Sequence, residues 1–532
     1  LQTKAKQQED IFDWSVIKPL SREDLLSLVP AGFQFKTRPW KHQIASFVAT
    51  SADILNGCGG FLDALDMGTG KTKVAIDVAR LIASLNGGVS VLVVCLNNAV
   101  ENWADEVATH SDLSATCVRG SPKQRWVLFQ EQTDFKIINF ESLRAMCVCK
   151  NPKPKRGGKK SIPDLSAIRD LCDTIKPDLL VIDESHIIKS PSSINWQVCS
   201  QIISECVPKY GTKRVELTGT PFGNTKLDVW AQYALLDFGE TFLNTFSEFR
   251  ESFFTDVGRR IGFRWQEKLV PTAYGKEEIS KRIFNHAIRY DESEVDDLPP
   301  KIYKVVKYNL GKEQRRAYDG VLGTLKELVG EEEIGFDVNH SELSRGRLSL
   351  RYICSGFLRD EGSDEYSTLK ENPKLDAVLE LLQEIILTGN KAVVFYEFVP
   401  EGEMLIEAIK SKLRVKVAAL SGSVKDKHGE WSKKFQKDSK YKVIVANNAV
   451  GSQSINLTAG NHCLFYSNSR RVILRIQAEK RISRGGQKSS RTYFYDFAGI
   501  DTIEERIIRE LQNHRRGIKS TFDREGIDVV QD

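Results

Sequence analysis

Short apolar runs rich in Val and Ile recur along the chain between longer amphipathic stretches: VSVLVVCL (89–96), FKIINF (135–140), PDLLVID (177–183) and KRVELTG (213–219). Apolar side chains at successive rather than alternate positions are the mark of strands buried on both faces of a parallel sheet, and the stretches between them supply helical crossovers. The pattern breaks off and then returns as NKAVVFYEF (390–398), RVKVAALSG (414–422), YKVIVAN (441–447), NHCLFYSN (461–468) and SRTYFYDF (490–497). Two α/β sheet domains follow. Between them, residues 222–370 carry helical spacing, as in VWAQYALLDF and FSEFRESFF. DDLPPK at 296–301 interrupts that spacing, because Pro299 and Pro300 fit neither a helix interior nor a central strand, and it marks the interdomain linker. In the tail, Ile503, Ile507 and Leu511 share one helical face, which predicts a last helix docked on a sheet domain.

At 532 residues the chain exceeds what one hydrophobic core organises, and 41% hydrophobic with 28% charged residues is a globular composition. No apolar run approaches the roughly 18 residues that a membrane span requires, and residues 1–20 carry charges throughout with no secretory apolar stretch. A start at Leu1 rather than Met suggests processing or truncation. The ten cysteines form no CxxC pair, so they are expected reduced and mostly buried, in an intracellular compartment; Cys147 and Cys149 could ligate a metal only with partners that the spacing does not supply. The net charge of +5 neither predicts nor excludes nucleic acid. Its distribution says more. Residues 470–491 hold Arg470, Arg471, Arg475, Lys480, Arg481, Arg484, Lys488 and Arg491 against the single acid Glu479. KNPKPKRGGKK at 150–160 is a surface loop, either simply solvated or in contact with DNA phosphates.

The chemistry starts at LDMGTGKT (65–72), which lies between a strand and the helical KVAIDVARLIASL. Gly68 and Gly70 let such a loop turn its backbone N–H groups onto phosphates at a helix N-terminus, with Lys71 reaching the β- and γ-phosphates and Thr72 ligating Mg2+. The full GxxxxGK[ST] pattern has Gly where this chain has Leu65. DESH (183–186) strengthens the reading, since the strand PDLLVID delivers two carboxylates to its C-terminal edge. There Asp183 can hold magnesium through water, and Glu184 can orient and deprotonate the attacking water, which is the chemistry of ATP hydrolysis.

With those motifs in place, the chain resembles a Swi/Snf-type DNA-dependent ATPase of helicase superfamily two, a compact microbial or phage-like member. Matching segments run in family order over residues 38–512. RPWKHQ is similar to the family's adenine-reading segment, with Gln43 carried over, and VLVVCLNNAVENWADEV (91–107) to its DNA-backbone motif. LTGTPFGN (217–224) is similar to the coupling motif, with Thr218 and Thr220. LPPKIYKVVKYNLGKEQRRAYDGV, GSQSINLTAG and QAEKRISRGGQ match later elements, the last with Gln477, Arg481, Arg484 and Gln487 in register. The resemblance implies two RecA-like parallel-sheet lobes with helical insertions between them. Residues 1–37 form an N-terminal segment, 38–221 lobe 1, 222–370 the insertions and linker, 371–500 lobe 2 and 501–532 a brace helix. It further implies ATP and Mg2+ as cofactors. Gln43, Met67, Gly68, Thr69, Gly70, Lys71, Thr72 and Gly451 would lie at the nucleotide, Thr72 and Asp183 at the metal, and Glu184, Lys71, Arg481 and Arg484 would be catalytic.

Arg481 and Arg484, three apart, are expected one helical turn apart and pointing the same way. From a separate lobe they can stabilise charge on the transferring phosphoryl group only when the lobes close, which couples hydrolysis to motion. The other possibility is a basic face that only touches DNA phosphates, and that reading extends to Arg470, Arg471 and Arg475. Leu96 in place of a family proline, Ser454 in place of a glycine and the YSNSRRVI form depart from the pattern in parts associated with the DNA grip. The expected activity is ATP-driven movement of a monomer along double-stranded DNA, branched forms included, in the cytoplasm of a microbial or phage-infected cell rather than a nucleus. A strand-separating or annealing helicase on branched DNA or RNA, and a nucleotide-gated DNA clamp, are the alternatives.

Overall fold

The computed structural model describes residues 14–522 apart from positions 58, 67, 151–160, 220–225, 262–263, 268, 292–293, 296–297, 330–340, 360–365, 421–429, 452–454 and 469–471. The chain divides into two compact units between Asp297 and Leu298. Met67, Thr220 and Ser454, Arg470 and Arg471, and most of the 150–160 loop fall outside the described residues.

In the first unit seven strands form one sheet: β1 (Gly60–Leu65), β2 (Val91–Cys95), β3 (Ala115–Cys117), β4 (Phe135–Asn139), β5 (Leu179–Asp183), β6 (Lys213–Leu217) and β7 (Ala287–Tyr290). Their order is β7-β1-β6-β5-β2-β4-β3, and every pairing is parallel. β1 and β2 are buried at every position, as successive apolar residues require when helices cover both faces. On one face α1 (Lys41–Asn56), α2 (Lys71–Asn86) and α3 (Val100–His110) pack Phe47, Ile76 and Trp103 against Phe61, Val93 and Val181. The other face is covered by helices Leu165–Ile175 and Ile194–Tyr210, and a satellite core forms around α4 (Val229–Leu236) and helix Phe246–Phe253. Each fully buried Val, Ile, Leu or Phe here contributes about 1.5–3 kcal/mol. The carbonyl end of α4 comes so close to β1 that a Cβ at Gly60 would lie 2.2 Å from the Leu236 oxygen.

The second unit holds β8 (Lys301–Tyr308), β9 (Ala392–Tyr396), β10 (Lys416–Leu420), β11 (Tyr441–Asn447), β12 (His462–Phe465) and β13 (Thr492–Gly499), again all parallel, in the order β8-β13-β12-β9-β11-β10. α5 (Val472–Glu479) follows β12, and α6 (Ile503–Phe522) follows β13. Ile507 and Leu511 of α6 are buried, and Ile503 packs against the cluster of Tyr318, Leu350 and Ile353. The start of α6 is held by Glu504, which accepts from Lys374 Nζ at 2.5 Å, the Tyr308 hydroxyl at 2.7 Å and the Gly499 N–H at 3.0 Å. The two units are RecA-like lobes.

Residues 222–370 are not all helical. β7 and β8 lie within that stretch and serve as edge strands of the two sheets, and short antiparallel pairs form at 254–256 with 269–271, 259–261 with 264–266, and 357–359 with 366–368. β8 reads KIYKVVKY, with only its last residue buried, so no long apolar run announces it; its three lysines suit an edge that must not recruit further strands. β3 is equally easy to miss, being three residues long and half-buried.

Candidate active site

The loop after β1 is shaped by two glycines in the left-handed region, Gly68 at φ 81° and Gly70 at φ 90°. Gly70 is also the N-cap of α2 and offers no side-chain cap, so the first N–H groups of the helix stay available to an anion. A Cβ at Gly70 would sit 2.2 Å from Gln43 Nε2, so Gly70 has both a conformational and a steric reason. Gln43 on α1 uses both ends of its amide: Nε2 donates to the Thr69 carbonyl at 2.9 Å, and Oε1 accepts the Trp40 N–H at 2.9 Å. His42 Nε2 meets the same Thr69 oxygen at 2.7 Å, which fixes its ring as an Nε2–H donor. The far side of the loop is tied to β7, whose Tyr290 carbonyl accepts the Asp66 N–H at 3.0 Å.

Lys71, almost fully buried, donates to the Leu65 carbonyl at 2.9 Å, while Thr72 beside it is half-buried. Its charge acts on two carboxyls. One is Asp63 on β1, fully buried, which takes a 2.7 Å hydrogen bond from Ser46; burial pushes it up to about 7, against Ser46 and Lys71. The other is Asp183 at the end of β5, pushed up to about 6 first by burial and then by the Glu184 charge, with Trp103, Lys71 and the Glu184 N–H opposing. Asp183 Oδ2 accepts the Trp103 indole N–H at 2.9 Å, and Oδ1 accepts the Glu184 N–H at 3.0 Å.

Glu184 stands at φ 54°, a left-handed conformation that a non-glycine residue adopts at a cost of about 1–3 kcal/mol and that collects at functional sites. His186 Nδ1 lies 3.2 Å from Glu184 Oε2, and the Ser185 hydroxyl donates to Gln232 of α4 at 2.8 Å. Thr218, fully buried after β6, donates its N–H to the Asp63 carbonyl at 3.2 Å, so the LTGT segment is bonded to the strand that carries the glycine loop. The carboxylate donor set suits a hard divalent cation. Magnesium is typically held by one or two carboxylates plus phosphates, and among the described residues no group of three or more His, Cys, Asp or Glu could hold a metal alone. Cys147 is buried, and that burial pushes its thiol up to about 12, which makes it a core residue.

In the second lobe QAEKRISRGGQ leaves the helix early. α5 ends at Glu479, so Arg481 and Arg484 sit on successive turns rather than one face of a helix, contrary to the spacing argument; Gly486, at φ 92°, lies in the turn that follows them. Both arginines are half-buried and flank the buried Ile482–Ser483 pair. The Arg481 carbonyl accepts the Leu457 N–H at 3.0 Å, joining this segment to INLTAG, and Gln487 Nε2 donates to the carbonyls of Gly460 and Ile482 at 2.9 and 3.0 Å. Gly451 ends a short helix at Asn448–Gly451 that follows β11.

The basic run 470–491 is not one exposed face. Arg475 and Lys480 are buried, and Arg475 bonds Asp496, Glu479 and Asn468 while stacking on Phe465. Apolar neighbours on both sides carried it into the core, where two carboxylates made the charge tolerable. Trp103 is the site residue that sequence alone does not disclose: the spacing of Val100, Trp103 and Val107 signals a buried helix face and nothing about the indole N–H.

Residues 32–356 match the SNF2-related domain, and residues 373–486 match the Helicase conserved C-terminal domain. The TATA-binding protein-associated factor mot1 of Aspergillus fumigatus is 22% identical over 547 residues, covering 93% of this chain and 27% of that protein. The chain thus spans about a quarter of the length of such relatives. A baculovirus relative, the "Probable global transactivator" of Orgyia pseudotsugata multicapsid polyhedrosis virus, is 24% identical and is covered over 86% of its length by 87% of this chain. Among solved structures, the Sulfolobus solfataricus SWI2/SNF2 ATPase core in complex with dsDNA is 21% identical, with 93% of this chain and 95% of that one covered at a TM-score of 0.40. No described helix is long and apolar enough to cross a membrane.

Proposed function

Because this chain belongs to the SNF2-related family of DNA-dependent ATPases, we propose that it is a motor that couples ATP hydrolysis to movement along double-stranded DNA. The observation that carries the reading is the convergence of Lys71 and the Asp183–Glu184 pair on one sheet edge, close enough for Lys71 to oppose the upward shift of Asp183.

In this reading the backbone N–H groups of Gly68, Thr69, Gly70, Lys71 and Thr72 cradle the phosphates, and Met67 is assigned to the same nucleotide site. Lys71 exchanges its hold on the Leu65 carbonyl for the β- and γ-phosphates, and Gln43 turns its amide from Thr69 to the adenine edge. The Thr72 hydroxyl and, through water, Asp183 would hold Mg2+, which would supply neutralisation of phosphate charge. Glu184 orients the attacking water and takes its proton. From lobe 2, Arg481 and Arg484 stabilise charge on the transferring group, with Gly451 near the nucleotide, so turnover follows lobe closure on DNA. The motor acts as a monomer.

The test compares ATPase stimulation by duplex, single-stranded and forked DNA of equal length, together with strand displacement on the forked substrate. Stimulation by plain duplex without displacement is the expected result. Displacement would make the protein a helicase, and binding with no more than a single turnover would make it a clamp.

A further inference from the structure

We propose that Trp103 is a positioning residue that couples the exposed segment at the end of β2 to the carboxylate assigned to magnesium; this rests on the DNA-motor reading above. Trp103 is the fourth residue of α3 and is 1% exposed. An indole N–H is a donor only, and its target here is Asp183 Oδ2 at 2.9 Å. With the Glu184 N–H on Oδ1, each carboxylate oxygen has one fixed protein donor, so the plane of the carboxylate is set and one side of each oxygen remains for water or a cation.

The N-terminal end of α3, the end that carries Trp103, begins at a polar surface. Asn97–Ala99 is a 3-10 turn that leads from β2 into the helix, and Asn97 is exposed. Asn97 Oδ1 accepts from Arg119 Nη1 at 2.9 Å and from Asn139 Nδ2 at 2.7 Å; Arg119 Nη2 also donates to the Asn97 carbonyl at 2.6 Å and to Glu101 at 2.5 Å. Arg119 thus clamps the turn to the first residues of α3. A phosphodiester strand drawing on Arg119 or on the turn would compete for these bonds and shift the first turn of α3, which carries Trp103. Rigid helix packing passes that shift to Asp183, because Val100, Trp103 and Val107 sit in the core without slack.

The test uses the whole chain with Trp103→Phe, which keeps an aromatic ring and removes the donor. A second variant carries 3-benzothienylalanine at 103, which matches the indole in volume and lacks the N–H, so that a packing defect in the first leaves the question answerable. A fluorescent ATP analogue titrated without DNA, over a Mg2+ series and in EDTA, reads the carboxylate directly. The Mg2+ concentration for half-maximal binding should rise about tenfold, the lower end of what loss of a partner behind a metal ligand costs, with binding in EDTA unchanged. Arg119→Ala should leave the Mg2+ requirement alone, and both it and the position-103 variants should reduce the ratio of duplex-stimulated to basal ATPase. An unchanged Mg2+ requirement in the benzothienyl variant overturns the proposal. A raised requirement with a parental stimulation ratio overturns the coupling and leaves Trp103 only a support for Asp183. If the parent protein shows no DNA stimulation at all, the motor reading fails instead, and the proposed coupling fails with it.

Discussion

Removing the charge of Arg475 should unfold lobe 2 far more readily while leaving DNA contacts alone. The side chain is 3% exposed and donates to both oxygens of Asp496, to Glu479 Oε1 at 2.7 Å and to Asn468. Burial works against its charge; the Asp496 and Glu479 carboxylates overcome that and raise its pKa. Arg475→Met keeps an apolar stem in the core but removes the guanidinium stacked on Phe465 and leaves two carboxylates buried without it, of which Glu479 retains the Tyr303 hydroxyl at 2.9 Å and Lys301 Nζ at 4.0 Å and Asp496 retains Asn468 Nδ2 at 2.9 Å. Taking one partner from a buried ionic cluster costs about 3–5 kcal/mol. At 2–4 °C per kcal/mol for a domain of this size, the lobe 2 unfolding temperature should fall by roughly 6–20 °C. Calorimetry at low and high salt provides the assay, and the loss should depend little on salt because the cluster is dry. The triple variant Arg475→Met, Glu479→Gln, Asp496→Asn should recover much of the stability, since no orphan charge remains. The reasoning fails if Arg475→Met melts like the parent and instead lowers the slope of log K against log salt for DNA by about one, the signature of a lost phosphate contact.

Lys71→Ala should abolish ATPase activity and weaken nucleotide binding, whereas Glu184→Gln should bind ATP normally and stop turnover; parental hydrolysis by Glu184→Gln would remove Glu184 as the base. Gly70→Ala places a Cβ at φ 90° and 2.2 Å from Gln43 Nε2, so nucleotide affinity should fall by about tenfold or more, corresponding to about 1–3 kcal/mol of strain, measured by equilibrium titration against Gly88→Ala, which meets nothing within 4 Å. Arg484→Ala should lose orders of magnitude of turnover at saturating DNA and ATP while ATP binding persists, and Arg484→Lys should rescue it poorly; full turnover in both Arg481→Ala and Arg484→Ala would sink the role given to the pair. For Asp63, folding raises the carboxyl from 3.8 to about 7, so the folded state holds a proton that the unfolded chain has released. Its contribution to stability is therefore full below about pH 4 and is lost as pH rises to 7, up to ~4 kcal/mol in all. Asp63→Asn should flatten the urea midpoint between pH 4 and 8 and exceed the parent at pH 8; parallel curves would refute the assignment.

Both sheets and the chemistry of the nucleotide loop are legible in the sequence because their causes are local. Parallel strands covered on both faces must be apolar at successive positions, so VLVVC, FKIIN, LLVID, AVVFY and HCLF announce themselves, and a phosphate loop needs Gly68, Gly70 and Lys71 as neighbours in the chain. The order of LDMGTGKT, DESH, LTGT and QAEKRISRGGQ carries the family in the same way. The edge strands Lys301–Tyr308 and Ala115–Cys117 escape, since they meet solvent and are ordered by the strands they pair with. Helical spacing also misplaces Arg481 and Arg484, because α5 ends at Glu479 and the chain beyond it turns, with the Arg481 carbonyl bonded to the Leu457 N–H.

Charge is where tertiary structure decides most. In sequence Arg475 and Arg484 are equivalent members of one basic run, yet the first is sealed against Asp496 and Phe465 and the second is half-buried on a turn. Asp63 and Asp183 are ordinary aspartates until burial raises both, and nothing in ENWADEV tells that its tryptophan hydrogen-bonds a carboxylate 80 positions away. Sequence determined which residues must leave water and which motif binds phosphate, since both follow from near-neighbour chemistry. Only the packed chain decided which polar groups went into the core with them and what each found there, because a charge or an N–H is worth several kcal/mol or almost nothing according to partners that long-range topology supplies.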